Sequence, residues 1–153
     1  LMVQVSGRAG RSHKQGRVII QSRQPDHEVL QWIRENDFQT FVSSELQHRE
    51  EFHYPPFTRI IHLEVRHSQP EKARHAAEKL AAVLRTSFGN RLLGPEEPAI
   101  ARVKNLYIRR IMIKADRNTD AVKARQAIAT AIEFVRSAEG YKGVIVSADV
   151  DPM

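Results

Sequence analysis

Apolar positions along this chain follow more than one rhythm, and each rhythm predicts an element. Val29, Leu30 and Ile33, then Phe38, Phe41, Val42 and Leu46, keep a helical stripe, with a break at Asn36-Asp37. Pro25-Asp26 reads as its start, with Asp26 as the N-cap. Tyr54-Pro55-Pro56-Phe57 stops the helix and extends the chain. Ile61, Leu63 and Val65 then alternate with His62, Glu64 and Arg66, a half-buried strand. After Pro70, Ala73, Ala76, Ala77, Leu80, Val83 and Leu84 line one side of a helix that ends at Gly89-Asn90.

Two strands follow, 92–103 and 107–115, joined near Lys104-Asn105; Gly94, Pro95 and Pro98 make the first a bent or edge strand. A second helix spans about 120–138, with Ala124, Ile128, Ala131, Ile132 and Val135 inward. Gly140 and Gly143 punctuate its exit before a last strand at Val144, Val146, Ala148 and Val150. Strand, helix, strand, strand, helix, strand is the split βαβ order. The predicted fold is therefore α+β and ferredoxin-like, a four-stranded antiparallel sheet with two helices on one face. One further apolar run, Val18-Ile19-Ile20 after Gln15-Gly16, reads as a short buried strand, or one left unpaired if its sheet neighbours are missing.

Charge divides the chain in the same places. Residues 1–24 carry +5, residues 25–57 carry −5 and residues 58–153 carry +6. The predicted organisation is an N-terminal segment, 1–24, a helical connector, 25–57, and an α+β domain, 58–153. A net charge of +6 and a pI near 10.0 point to a polyanionic partner. With no cysteine, disulfides and thiolate zinc sites are excluded. No apolar run reaches the roughly 18 residues of a membrane span, and no signal peptide is visible. A chain that opens with leucine inside a motif reads as a C-terminal piece of something larger.

Candidate chemistry lies first in Gln4-Val5-Ser6-Gly7-Arg8-Ala9-Gly10-Arg11. Arg8 and Arg11 share one face of a helical turn, and Gly7 and Gly10 allow a phosphate close approach. Two guanidiniums so placed suit an arginine finger on a γ-phosphoryl group; a flexible basic arm is the plainer alternative. A phosphate-cradling Gly-x-x-x-x-Gly-Lys-Ser/Thr loop occurs nowhere, so the chain alone is expected not to hydrolyse ATP.

The second candidate is the hairpin at 99–117, where Arg102, Lys104, Arg109, Arg110, Lys114 and Arg117 face a single acid, Asp116. Arg110 and Lys114 fall on the sheet face opposite Ile111 and Ile113. With Tyr107 the only aromatic nearby, sequence-insensitive phosphate contact fits better than base stacking. A solvated face, or internal pairing with Asp149 and Asp151, is the alternative. His62 and His67 face opposite sides of a strand, and His48 with His53 makes no zinc set, so no metal site is expected.

The 4–11 motif resembles the last conserved motif of superfamily 2 helicases. That resemblance implies an ATP-facing motif at the end of the second motor lobe, with Gln4, Gly7 and Gly10 near the nucleotide and Arg8 or Arg11 as the finger. Arg49-Glu50-Glu51-Phe52-His53-Tyr54-Pro55-Pro56-Phe57 is similar to the junction after the motor in the primosomal replication-restart helicase family. Gly94-Pro95 with Pro98-Ala99-Ile100-Ala101-Arg102, Tyr107-Ile108-Arg109 and Asp149-Val150-Asp151-Pro152 resemble the same family.

The family resemblance implies an ATP- and Mg-dependent 3′→5′ DNA helicase that recognises stalled forks and restarts replication. It implies DNA, the single-stranded-DNA-binding protein and other primosome proteins as partners, and a bacterial, cytoplasmic, nucleoid-associated location. Its zinc module lies outside this chain. For residues 58–153, two roles stay open: DNA contact, or docking of the acidic tail of the single-stranded-DNA-binding protein or of the motor lobes.

Overall fold

The computed structural model describes residues 16–116 and 121–152. The chain divides into two compact units, Leu1–His48 and Arg49–Met153. In the first, residues 16–24 form no regular structure. Of the two outcomes expected for Val18-Ile19-Ile20, the unpaired one is found: the run pairs with no strand among the described residues, and Ile19 is 80% exposed. A three-residue apolar run has no means of burying itself without a sheet beside it.

Helix α1 (Glu28–Glu35) starts one residue later than expected. His27, not Asp26, is its N-cap, with Nδ1 accepting from the Val29 N–H at 3.3 Å. Asn36 ends the helix in the left-handed conformation, φ 56°. The break at Asn36-Asp37 is therefore real, and Asp37 opens α2 (Phe38–Glu51) by accepting from the Thr40 N–H at 3.0 Å. Hydrogen bonds from Thr40, side chain first, hold the exposed Asp37 carboxyl below its ordinary pKa. Trp32 packs tilted against Phe41, ring centroids 6.2 Å apart, as a helix-packing residue.

The second unit takes in the end of α2, which runs into a tight turn. The Arg49 carbonyl accepts from the Tyr54 N–H at 2.7 Å, and Arg49 Nη1 donates to the Pro55 carbonyl at 3.0 Å. Five strands and two helices follow: β1 (Thr58–His67), α3 (Pro70–Phe88), β2 (Leu92–Glu96), β3 (Arg102–Val103), β4 (Leu106–Asp116), α4 (Ala121–Ser137) and β5 (Ile145–Val150). Pro70 sits in the first turn of α3, where its missing N–H costs nothing, and Gly89 caps the other end. The fold is α+β with an antiparallel sheet in the order β2-β4-β1-β5, β3 pairing with β4.

A fifth strand arises because the segment expected as one strand, 92–103, is two. Pro95 and Pro98 bring no N–H to the ladder, and the register shifts between Leu93 and Glu96. The chain leaves the sheet and returns as β3. Lys104 and Asn105, both at positive φ (48° and 63°), then make the two-residue turn into β4.

Alternation on β1 sends Ile61, Leu63 and Val65 into one buried cluster with Ala76, Ala77, Leu80 and Leu84 of α3 and Ala124, Ile128, Ala131 and Val135 of α4. Ile111 and Ile113 of β4 join them. Each fully buried Leu or Ile is worth roughly 1.5–3 kcal/mol over its exposed state. Alanines on both helices let them approach the sheet closely. The other face of β1 and β4 carries Ile60, His62, Glu64 and Arg66 beside Ile108, Arg110, Met112 and Lys114. No helix among the described residues is long and apolar enough to cross a membrane.

Gly94 tests this packing. Its φ is +90°, and a Cβ there would lie 2.8 Å from the Arg110 carbonyl oxygen. Gly94→Ala is expected to cost about 2 kcal/mol or more in urea denaturation. A cost below about 0.5 kcal/mol would mean the close approach of β2 to β4 is not tight.

Candidate nucleic-acid interface

The antiparallel register of β1 against β4 sets the hairpin's charges. Glu64 lies opposite Arg110 on one side and Ser147 of β5 on the other. Its Oε1 accepts from Arg110 Nη2 at 2.9 Å; its Oε2 accepts from Arg66 Nε at 3.2 Å and also from Arg66 Nη2. Hydrogen bonds from Arg66, then Arg110, hold the Glu64 carboxyl below its ordinary value of 4.5. Both arginines bind one carboxylate, and that carboxylate is largely covered, its side chain 21% exposed.

The expected DNA-binding residues are brought to different places. Arg110 and Lys114 do share the face opposite Ile111 and Ile113. Arg110, however, is bound to Glu64. Lys114 Nζ donates to the Phe52 carbonyl at 2.7 Å and lies 4.0 Å from the centre of the Tyr54 ring. Arg109 points to the opposite face, with Tyr107, and pairs with Glu97. Arg102 and Lys104 stand at the exposed hairpin tip, Arg102 5.0 Å over the Tyr107 ring and bonded to Asn105 Oδ1 at 2.9 Å. Gln4, Gly7, Arg8, Gly10, Arg11 and Arg117 lie outside the described residues.

Internal pairing exists, but through Glu64 and Glu97, not Asp149 or Asp151. Asp151 instead closes the strand on backbone. It has φ 52°, its N–H donates to the Ile60 carbonyl at 2.7 Å, and its Oδ1 accepts from the Ile60 N–H at 3.0 Å. Asp149 lies opposite His62. His67 faces the buried side, its Nδ1 accepting from the Gln69 N–H at 2.9 Å. No cluster of three metal-ligating side chains occurs among the described residues.

The sequence reading missed Glu64. It lies 46 positions from Arg110, and only the register joins them. Its visible signal was Glu64 and Arg66 two apart on the polar face of one strand.

Two clefts flank this pair. One, 440 Å³, is lined by Arg66, Lys104, Arg110 and an aliphatic shelf including Pro98, Ile100 and Val103. The other, 600 Å³, shares Glu64, Arg66 and Arg110 and extends to His62, Ser147 and Asp149. A third, of 260 Å³, lies on the other face, where Ile61, Ala124, Ile128 and Val150 meet Arg59 and Arg125.

Residues 50–153 match the family model described as the primosomal protein N C-terminal domain. The replication restart protein PriA of Bacillus subtilis (strain 168) is 36% identical over 154 residues, 99% of this chain and 19% of that protein. That of Treponema pallidum (strain Nichols) is 35% identical over 155 residues, 100% of this chain and 23% of that protein. That of Synechocystis is 30% identical over 115 residues, 74% of this chain and 14% of that protein. The chain spans about a fifth of the length of the first two of these relatives.

Since Glu64 has a lowered pKa in the folded chain, its stabilising share is fully present above its unfolded value. It is lost as pH falls from about 4.5 through the lowered folded value. Glu64→Gln should therefore destabilise at pH 7, with the gap to wild type closing across that acid window in denaturation at stepped pH. A gap that is the same on both sides of the window would remove the carboxylate from the account.

Proposed function

The chain belongs to the primosomal protein N C-terminal domain family, and on that premise we propose that it is the C-terminal part of an ATP-dependent 3′→5′ DNA helicase that recognises stalled forks and restarts replication. The observation that carries this reading is coverage. Similarity to replication restart proteins runs over 99% of the chain, through residues 4–11 as well as the matched domain. In this reading residues 1–24 end the second motor lobe, and ATP with Mg is handled by the longer enzyme. Gln4, Gly7 and Gly10 face the nucleotide, and Arg8 or Arg11 neutralises charge on the γ-phosphate. Residues 58–153 are a split βαβ, ferredoxin-like module, a reading supported by the order β2-β4-β1-β5. The protein works in the bacterial cytoplasm at the nucleoid with other primosome proteins.

Within the module we assign DNA backbone contact to Arg102 and Lys104. They are exposed on a turn, Arg102 bonded to the neutral amide oxygen of Asn105, whereas Arg109 and Arg110 are paired with carboxylates and Lys114 is held by a carbonyl. Backbone contact is the fitting mode, because Tyr107 is already covered by Arg102 and the open face of β1, β4 and β5 carries no Phe, Tyr or Trp among the described residues.

A second reading, a docking domain for the acidic tail of the single-stranded-DNA-binding protein, is favoured by one observation. The 260 Å³ cleft combines an apolar floor with Arg59 and Arg125, against a single acid, Asp116. Binding of such a tail peptide that is lost in Arg59→Glu or Arg125→Glu, with duplex binding absent, would put this reading first.

Each phosphate contact contributes about −0.9 to the slope of log K against log salt on duplex DNA. Changing Arg102 and Lys104 together to Ala should flatten that slope by about two, and Arg110→Met should leave it in place. An unchanged slope in the double variant would withdraw the tip as the contact. In the longer enzyme, Arg8→Ala or Arg11→Ala should lower ATP turnover roughly 10³-fold if that residue is the finger. Normal turnover in both variants would remove the finger assignment.

A further inference from the structure

The open face of the sheet holds a second recognition device centred on Arg66 and Arg110, which uses neither Arg102 nor the cleft at Arg59 and has Lys104 on the lining of one of its two clefts. Across β4, β1 and the edge strand β5 its rows read Ile108–Arg66–Ile145, Arg110–Glu64–Ser147 and Met112–His62–Asp149. Glu64 acts as a splint. By taking Arg66 on one oxygen and Arg110 on the other, it sets two guanidiniums side by side, both still about one-third exposed. Those bonds use Nε and Nη2 of Arg66 and Nη2 of Arg110, so the Nη1 end of each is open to a further acceptor among the described residues. Two arginines on one carboxylate leave a single positive charge in excess, to which Lys104 adds in the smaller of the two clefts and which Asp149 offsets in the larger. Both clefts meet at this point.

We infer that this double cleft docks an extended peptide of a protein partner, one isolated carboxylate bridging Arg66 and Arg110 and a neighbouring aliphatic side chain resting on Pro98, Ile100 and Val103. Charge complementarity selects the occupant. A polyanion laid along the face would set its next charges against Glu64 and Asp149, so neither a phosphate chain nor a run of acidic residues fits. One carboxylate satisfies the surplus charge in the planar geometry that guanidinium pairs favour. The shelf is aliphatic, with Ile100 68% exposed, and it gains more from covering by Leu, Ile or Met than by a base that stacks on aromatics.

The inference turns on Arg66 and Arg110, which neither the DNA reading nor the acidic-tail reading assigns, although Lys104 of the DNA reading also lines the smaller of the two clefts. Its test is a titration of the ¹⁵N-labelled full chain with the blocked peptide Gly-Ser-Leu-Glu-Gly-Ser, its Gln counterpart and a short dT oligomer. Saturable amide shifts at Arg66, Ile100, Val103 and Arg110 are expected with the Glu peptide at about millimolar affinity. The Gln peptide should bind roughly tenfold more weakly or worse. Arg110→Met should abolish the shifts while keeping a folded spectrum. Arg66→Lys, which keeps the charge but not the fork, should weaken binding in a chain with an undisturbed core. No saturable shift with the Glu peptide overturns the inference, as does equal binding of the Gln peptide. Tighter binding of the dT oligomer at the same residues also overturns it and makes the face a nucleic-acid seat.

Discussion

Strand β1 pairs along its whole length with β4, from Thr58 opposite Asp116 to His67 opposite Tyr107, and carries β5 on its other edge. The rest of the second unit depends on that register. Side chains alternate with period two, so a slip of one residue would bring Leu63 and Val65 to the open face and drive Glu64 and Arg66 under the helices. Burial of apolar residues from α3 and α4 against Ile61, Leu63, Ile111 and Ile113 opposes any such slip, because every alternative exposes the core and buries charge. The polar face is thus fixed by the apolar one.

Once the register is set, the basic character of the hairpin stops being a single quantity. Its +5 sum is divided by where each side chain points. Arg109 lies on the helix side with Glu97, and Arg110 lies on the open side with Glu64. Lys114 is drawn to a carbonyl in the turn after α2, and Arg102 and Lys104 are left at the tip. A guanidinium already bonded to a carboxylate offers less to a phosphate than its formal charge implies, since approach must compete with that bond. The same bond makes Arg66 and Arg110 a better-ordered pair for one small anionic group.

Much of the fold was legible in the sequence because its signals are local. Pro70 and Gly89 bracket α3, alternation at Ile61, Leu63 and Val65 marks β1, and Lys104-Asn105 is the hairpin turn. Val18-Ile19-Ile20 has the residues of a buried strand but no partner among the described residues, the unpaired outcome that missing neighbours imply, since burial is a property of the pair. The failures are of a different kind. His27 caps α1 in place of Asp26 because the choice between neighbouring polar residues turns on backbone angles at one position. The segment 92–103 splits because prolines interrupt a ladder whose partner, β4, continues past them. Of the candidate site, the basic residues were visible, but the carboxylates that hold them were not, since Glu64 meets Arg110 only through register. The motif at Arg8 and Arg11 lies outside the described residues and stands on sequence alone.

Arg110 is bonded to Glu64, and on the reading proposed above that bond keeps it from a polyanion on the open face. A double-mutant cycle of Glu64→Gln and Arg110→Met, read by urea denaturation near neutral pH, measures that bond most directly. A coupling of about 1 kcal/mol or more is expected, with duplex binding unchanged in the Arg110→Met chain. Effects that add to within about 0.3–0.5 kcal/mol, together with a loss of duplex affinity on changing Arg110, would contradict it.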